Sequence, residues 1–235
     1  MKKSKSGFFK RIFKLLIKSI IIFLVLSVLS TLFFRFVPIP FTPLMIIRLV
    51  QQTFGDKDVT FKKDWVSIDE MSKNVVIAAI AAEDQKFPEH WGFDIESIEK
   101  AMKNNQKKKR IKGASTISQQ TAKNVFLWPH RDWIRKGFEV YFTFLIETIW
   151  SKERIIEVYL NVAELGNGVY GIEAASQKYF KKSALKLSKS EAALIVASLP
   201  NPIKFNPSKP SNYMLGRQQW ILRQMNNIEP CIDLK

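Results

Sequence analysis

Cysteine and histidine are scarce in this chain. Its 235 residues include one cysteine, Cys231, and two histidines, His90 and His130. A disulfide framework within the chain is therefore impossible, and a metal site built from several cysteines or histidines is excluded. The shortage of cysteine does not fix the compartment, because a protein outside the cytoplasm can fold without disulfides.

Acidic residues are absent from the N-terminal segment. Residues 1–35 hold eight lysines and arginines and no aspartate or glutamate. The whole chain has 37 basic and 21 acidic residues, a net charge of +16, so residues 36–235 carry +8 from 29 cations and 21 acids. Such a balance predicts an anionic partner: nucleic acid, a membrane surface or a phosphate-bearing substrate.

An uncharged apolar run follows the basic tail. It extends from Ser19 to Phe34, about 24 Å as a helix, and flanking basic side chains can lengthen the span by reaching toward the interfaces. A cleaved signal peptide is the alternative, but the run is longer than usual and no small-residue cleavage site follows. We therefore predict a cytoplasmic basic tail at 1–18 and a transmembrane anchor at 19–37.

The seven cations before Ser19 favour a cytoplasmic N-terminus, which places the bulk of the chain outside the cytoplasm. Nucleic acid is not an expected partner there, whereas membrane phosphates are. The segment Leu44–Val50 is apolar and basic, so it fits either a helix at the membrane interface or an ordinary core helix.

The remainder is predicted to be mostly α, because no stretch shows sustained alternation of apolar and polar residues. Helix starts are indicated by capping residues at Thr42, Ser67 (a helix through Ala82), Asp94, Ser115 (to Phe126), Asp132 (through Trp150) and Ser188 (to Pro200). We expect a linker and membrane-proximal segment at 38–66, one compact domain at 67–210 and a weakly helical tail at 211–235.

Two adjacent carboxylates end the apolar helix that begins near Val75. Glu83 and Asp84 lie at the negative end of the helix dipole, where acids are locally unfavourable. An acid beside apolar walls has a raised pKa, which suits proton transfer. The same pair also fits ordinary solvated surface acids, and these residues alone do not decide between the two.

The surrounding sequence resembles the glycosyltransferase family 51 domain, which polymerises the glycan strands of peptidoglycan from lipid II. Residues 83–94 (EDQKFPEHWGFD) and 113–124 (GASTISQQTAKN) match its first two motifs. The third, fourth and fifth are matched by residues 131–139, 152–161 and 191–202, so the resemblance covers about residues 60–207. It implies a lysozyme-like helical fold. Because few residues follow Pro207, we expect the stand-alone form of the domain, without a transpeptidase domain, in the inner membrane of a Gram-negative envelope.

The resemblance also implies roles for individual residues. Glu83 would be the base that takes the proton of the acceptor's GlcNAc 4-hydroxyl, and Glu139 the second catalytic carboxylate, on the diphosphate side. Lys123 and Arg131 would neutralise the leaving group. Asp84 would orient local groups rather than react. Further substrate contacts are expected from Asp84, Ser115, Thr116, Gln119, Gln120, Asn124, Tyr159 and Asn161.

Several of these residues have simpler explanations. Tyr159 and Asn161 would also suit the closing of a buried helix end, and Asn124 the end of a helix. The basic loop at 103–112 would suit either a solvated surface or a lid over the donor site.

No obligate cofactor is predicted, with Mg²⁺ or Mn²⁺ at the diphosphate left open. The expected partners are lipid II, the growing lipid-linked strand, the membrane and other cell-wall synthesis proteins.

Two other functions compete with glycan polymerisation. A lysozyme-like or lytic enzyme that cleaves peptidoglycan would also place a glutamate at a helix end. It needs no diphosphate clamp, so Lys123 and Arg131 favour synthesis. A membrane-tethered scaffold without activity would not need Glu83 in an apolar setting.

Overall fold

The computed structural model describes residues 4–55, 59–105, 115–130 and 132–228. The chain divides into two compact units, Met1–Val37 and Pro38–Lys235. Part of the basic loop predicted at 103–112 lies outside the described residues, and so does Arg131.

The first unit is a single helix, α1, Ser4–Phe34. Its segment Phe8–Phe34 has a mean hydropathy of 2.6 and is long and apolar enough to cross a membrane. The helix begins well before the predicted anchor, because lysine and arginine in the basic tail are good helix formers. The predicted apolar helix near the N-terminus is thus present as a candidate membrane span.

The second unit is mostly α, as predicted. Its helices are α2 Pro43–Thr53, α3 Lys73–Glu83, α4 Ile95–Asn105, α5 Ile117–Phe126, α6 Trp133–Ile149, α7 Lys152–Val162, α8 Ile172–Phe180, α9 Lys189–Val196 and α10 Asn212–Ile228. Short 3₁₀ turns cover Ile68–Glu70 and Ala184–Lys186.

A small sheet accompanies the helices. Its strands are β1 Lys62–Lys63, β2 Glu164–Gly166 and β3 Val169–Tyr170, with β3 in the centre, parallel to β1 and antiparallel to β2. Strands of two or three residues are too short to show alternation, so the sequence did not reveal them. The turn between β2 and β3 needs Gly168, which has φ +65° and whose added Cβ would lie 1.9 Å from the Thr60 carbonyl oxygen.

Most of the predicted caps are present, and two need correction. Thr116, not Ser115, caps α5, because Gln119 lies three residues after it and completes a capping box. The Ser67 box caps only the 3₁₀ turn. The extended backbone at Met71 interrupts the helix there, and Ser72 caps α3 instead.

The core forms around α3, whose residues 75–81 are all buried. This helix packs against α9 and α10, while α5 packs against α6 and α7. The predicted C-terminal tail is therefore corrected as far as Ile228. Met214, Ile221 and Met225 are fully buried on one face of α10, and this apolar stripe docks the helix onto the domain.

Candidate active site

Glu83 ends α3 with its carboxylate held from two other helices. The Gln120 side-chain amide on α5 donates to one oxygen at 3.1 Å, and the Arg217 guanidinium on α10 donates to the other at 3.0 Å. Burial raises the pKa of Glu83, and Gln120, Arg217 and Lys123 oppose this by stabilising the ionised form. The result is a largely buried carboxylate in a fixed position, as proton transfer requires.

Asp84 is buried in a different environment. Its carboxylate accepts hydrogen bonds from the Ile117 amide at 2.9 Å and contacts His90 Nε2 at 2.9 Å. Both partners belong to the protein framework, so the structure shows Asp84 joining the end of α3 to the start of α5. This geometry fits the orienting role expected of Asp84, and its contact with substrate stays a prediction.

A second set of contacts fixes the turn that carries His90. The carbonyl of His90 accepts from Lys152 Nζ at 2.6 Å, and the same ammonium contacts Glu147 at 2.8 Å. Gly92 follows with φ +79°, and an added Cβ would lie 2.8 Å from the Thr143 methyl group. Lys152 and Glu147 received no role from the sequence, although Lys152 opens the fourth motif.

Tyr159 lies behind Gln120 rather than in the open cleft. Its hydroxyl donates to Gln120 Oε1 at 3.4 Å, while the Gln120 amide donates to Glu83. Complete burial raises the pKa of Tyr159 well above its ordinary value, so the hydroxyl stays protonated and acts as a donor. Tyr159 therefore orients Gln120, which orients Glu83.

The first of two clefts beside Glu83 has a volume of about 860 Å³. We call it the cationic cleft. Its basic side chains are Lys123, Arg135 and Lys136, and predicted residues Ser115, Gln119, Gln120, Asn124 and Glu139 also line it. The acidic residue Asp132 also lines it, and apolar side chains complete the wall: Leu44, Leu127, Trp128, Pro129 and Trp133. A cleft with cations on one part and apolar groups on another suits an amphipathic anion.

Glu139 holds two cations of this cleft. One oxygen of its buried carboxylate accepts from the Arg135 guanidinium at 2.8 Å, and the other contacts Lys136 Nζ. Asp132 begins the same helix by accepting from the Arg135 amide at 2.7 Å. Because Arg135 and Lys136 are adjacent in the first turn of α6, one carboxylate one turn further on reaches both.

The second cleft, of about 870 Å³, contains Glu83 itself. We call it the carboxylate cleft. It is lined by Glu83, Asp84, Lys86, Asp94, Ser97, Lys100, Ser115, Thr116, Gln120, Arg217 and Trp220, among others. Ser115 and Gln120 line both clefts. The two clefts therefore meet beside the carboxylate, which allows two ligands to approach Glu83 from different sides.

Two predicted substrate contacts have structural roles in the described part of the chain. Asn161 is fully buried, and its side chain bonds both the amide and the carbonyl of Val66 at 3.0 and 2.8 Å. Thr116 donates to the Gly92 carbonyl at 2.7 Å and caps α5. Asn161 uses its side chain within the fold and is corrected to a structural role, whereas Thr116 also lines the carboxylate cleft and its contact with substrate stays a prediction.

The sequence missed Arg217, which lies outside the five motifs and donates a hydrogen bond to Glu83. Nothing in its neighbourhood resembles the family motifs. The signal that could have revealed it is the apolar spacing of Met214, Ile221 and Met225, which predicts a packed helix rather than a tail.

A divalent metal held by protein needs several ligating side chains in one place. Among the residues that the structure describes, no group of three or more His, Cys, Asp or Glu side chains is close enough to hold an ion. Glu139 uses both oxygens for Arg135 and Lys136. The residues described here therefore do not fit a protein-built metal cage.

Fold and site together place a largely buried glutamate beside a cleft lined by Lys123, Arg135 and Lys136, an arrangement typical of an enzyme. The chain belongs to the transglycosylase family, whose model matches residues 50–226. The mostly α, lysozyme-like fold expected from the resemblance is thereby confirmed.

Three similar proteins each carry the name biosynthetic peptidoglycan transglycosylase. That of Bdellovibrio bacteriovorus is 58% identical over 93% of this chain and 86% of its own length. That of Bacteroides thetaiotaomicron is 56% identical over 92% and 88%. That of Escherichia coli is 52% identical over 96% and 94%.

Proposed function

We propose that this chain is a peptidoglycan glycosyltransferase that polymerises lipid II into β-1,4 glycan strands and releases undecaprenyl diphosphate. The observation that carries the proposal is the position of Glu83, a largely buried carboxylate where a cleft lined by three basic side chains meets a second cleft. Family membership and the names of the relatives support the reaction class.

Glu83 serves as the general base. Its carboxylate takes the proton of the acceptor's GlcNAc 4-hydroxyl as that oxygen attacks C1 of the donor's MurNAc. The new C1–O bond forms while the bond from C1 to the diphosphate oxygen breaks, so a single displacement inverts α to β. The raised pKa of Glu83 increases its proton affinity, and the contacts from Gln120 and Arg217 keep the carboxylate aimed.

The cationic cleft receives the donor's diphosphate. Lys123, Arg135 and Lys136 line it, and fixed cations stabilise negative charge that grows on the leaving group. Glu139 acts on this side by holding Arg135 and Lys136 in place. Arg131 remains a proposed contributor that lies outside the described residues.

Neutral side chains at the cleft margins complete the proposed contacts. Ser115 is exposed where the two clefts meet, and Gln119 and Asn124 line the cationic cleft. We assign them hydrogen bonds to sugar or phosphate oxygens. No step of the mechanism passes through a metal, and Mg²⁺ or Mn²⁺ at the diphosphate stays an untested prediction.

The membrane arrangement is part of the proposal. Helix α1 spans the inner membrane once, with its N-terminus in the cytoplasm and the catalytic domain in the periplasm, where lipid II and other cell-wall synthesis proteins are met. A periplasm-dependent reporter fused after Lys235 should be active. If a reporter that works only in the cytoplasm is active when it is fused at the same position, this orientation is contradicted.

The decisive experiment incubates the purified full chain with labelled lipid II alone. We expect long glycan strands, and we expect Glu83→Gln to lose about 10²–10⁴-fold in rate while remaining folded. Incubation with purified sacculi tests the cleaving alternative. Degraded sacculi without polymer, or polymer made equally well by the Gln variant, would overturn the assignment.

A further inference from the structure

Helix α10 lies outside the family motifs and yet reaches the proposed base. Met214, Ile221 and Met225 are fully buried where α10 packs on α3 and α9. Gln218 donates to the Ser190 carbonyl at 2.8 Å, and Gln224 accepts from the Gln85 amide at 3.1 Å. Buried Met214 precedes Arg217, and the contacts of Gln218, Ile221 and Gln224 follow it, so the guanidinium is presented from a packed stretch of helix.

The Arg217 guanidinium contacts Glu83 in a mostly enclosed setting. Its Nη2 lies 3.0 Å from Glu83 Oε1, and the two side chains are 22% and 17% exposed. Water screens such a pair much less than it screens a surface ion pair. Gln120 binds the other oxygen, so the carboxylate has one charged and one neutral donor.

The other ionisable groups around Glu83 cannot replace this contact. Lys123 on α5 favours the ionised form of Glu83 through its charge, and Tyr159 on α7 is a neutral phenol. Asp84, next in the chain, is bound to His90 and Ile117. Further charged residues on the same cleft wall are Lys86, Asp94 and Lys100. Arg217 is thus the cation that holds Glu83 directly.

We propose that Arg217 is a positioning residue for Glu83, which fixes the carboxylate in the cleft and keeps it in the ionised form that can accept a proton. The inference rests on the proposed function of Glu83 as base. Burial alone would favour the protonated acid, which cannot act as a base. A guanidinium suits this task because it stays charged at any working pH and presents several donors in a rigid fork.

The test compares pH profiles of kcat/KM for lipid II polymerisation in the wild type, Arg217→Met and Arg217→Lys. We expect the acid limb of Arg217→Met to move to higher pH, with a loss of about tenfold on that limb and partial recovery at alkaline pH. Arg217→Lys should keep part of the wild-type profile because it retains the charge. Arg223→Met is the matched control, since Arg223 is exposed on the same helix.

A second readout does not depend on turnover. The carboxylate band of Glu83, isolated as the infrared difference between each Arg217 form and its own Glu83→Gln version, should titrate at higher pH in Arg217→Met than in wild type. This separates failure of the inference from failure of the proposed function, because the titration needs no substrate. A loss that is equal at every pH, a change in KM alone, or an unmoved infrared titration would each overturn the proposal.

Discussion

The Oδ2 atom of Asp84 accepts a hydrogen bond from the backbone amide of Ile117 at 2.9 Å. Ile117 is the first residue of α5, so its N–H has no partner within the helix, and a negative charge there also interacts favourably with the helix dipole. The contact joins the residue after Glu83 to the helix that carries Gln120 and Lys123. The position of the base relative to the cationic cleft therefore depends on it.

We expect Asp84→Ala to lower both stability and turnover. The buried Ile117 amide would lose its acceptor, at a cost of about 1–3 kcal/mol in the free energy of unfolding. Asp84→Asn should lose less of both, because its carbonyl oxygen can still accept from Ile117. Urea unfolding and initial polymerisation rates measure the two effects. A stable, inactive Asn variant would instead mean that Asp84 takes part in the chemistry.

Substitution of Glu139 tests whether the cationic cleft depends on the orientation of its cations or on its net charge, because the two predict opposite results. Glu139→Gln makes the cationic cleft more positive, which by charge alone would strengthen binding of a diphosphate. The structure predicts a loss, because Arg135 and Lys136 would no longer be held by one carboxylate. We expect lower turnover, approaching the roughly 10²–10³-fold loss typical of removing one preorganised donor.

Comparison variants make this result interpretable. Lys123→Met and Lys136→Met should each lose turnover by about that same factor of 10²–10³. Lys209→Met, at an exposed position, should not. Initial rates of lipid II consumption are compared for proteins whose circular dichroism spectra match. Faster polymerisation by Glu139→Gln would show that net charge, not orientation, governs the cleft.

Substitution of Asn161 can distinguish a structural role from a contact with substrate. Its side chain bonds the amide and carbonyl of Val66 and the carbonyl of Glu157. Asn161→Ala leaves these buried groups without that partner, and each costs about 1–3 kcal/mol. We expect a clear fall in the midpoint of urea unfolding and near-normal KM at low temperature. A raised KM in a variant of unchanged stability would restore the original prediction of a substrate contact.

The sequence predicted the parts of this protein that depend on local patterns. Caps such as Thr42 and Asp132, the mostly α class and Glu83 itself follow from residue spacing or from motifs. The role of Arg217 could not be predicted in the same way. It lies 134 residues from Glu83 in the chain, and only tertiary packing of α10 brings the two together.

Asn161 shows the opposite failure. It lies in a family motif. From the sequence alone, a buried side chain that bonds the backbone cannot be distinguished from one that binds substrate. Only the hydrogen-bond partners distinguish them. A motif therefore indicates which residues belong to the site region, whereas the three-dimensional contacts decide what each one does.

Helix α2 and the residue that follows it, Phe54, carry an exposed apolar stripe that we expect to contact the bilayer. Ile46, Val50 and Phe54 recur every four residues and are 53%, 49% and 87% exposed, whereas Met45 is fully buried. Leu44, which belongs to the segment that fits either the membrane interface or the core, lines the cationic cleft. Replacing the three exposed residues with serine should weaken binding to phospholipid vesicles at least tenfold, since a buried apolar side chain contributes about 1.5–3 kcal/mol.

The measurement uses a chain that begins at Pro38, the first residue of the second compact unit, so that α1 does not dominate the binding. Sedimentation with anionic vesicles gives the partition coefficient. Leu185→Ser with Ile203→Ser is the matched control, because both residues are more than half exposed elsewhere. If the α2 variant and the control partition equally, the stripe does not face the membrane.

Glu164 on β2 should make stability depend on pH. Burial raises its pKa, and Arg48, whose Nε lies 3.7 Å from the carboxylate, opposes the shift only in part. The folded protein therefore binds this proton more readily than the unfolded chain does. The stabilising contribution is complete below the unfolded value of about 4.5 and is lost as the pH rises through the higher folded value.

Glu164→Gln removes this dependence. Relative to wild type, the variant should gain free energy of unfolding as the pH is raised from below 4.5 toward neutrality. Arg48→Met should have the opposite effect and steepen the loss, because it removes the cation that favours the ionised form. Urea unfolding at a series of pH values measures both, and Glu153→Gln controls for loss of one surface charge on α7. If the difference in free energy of unfolding between the wild type and Glu164→Gln stays constant with pH, the carboxylate is stabilised equally in the folded and unfolded states.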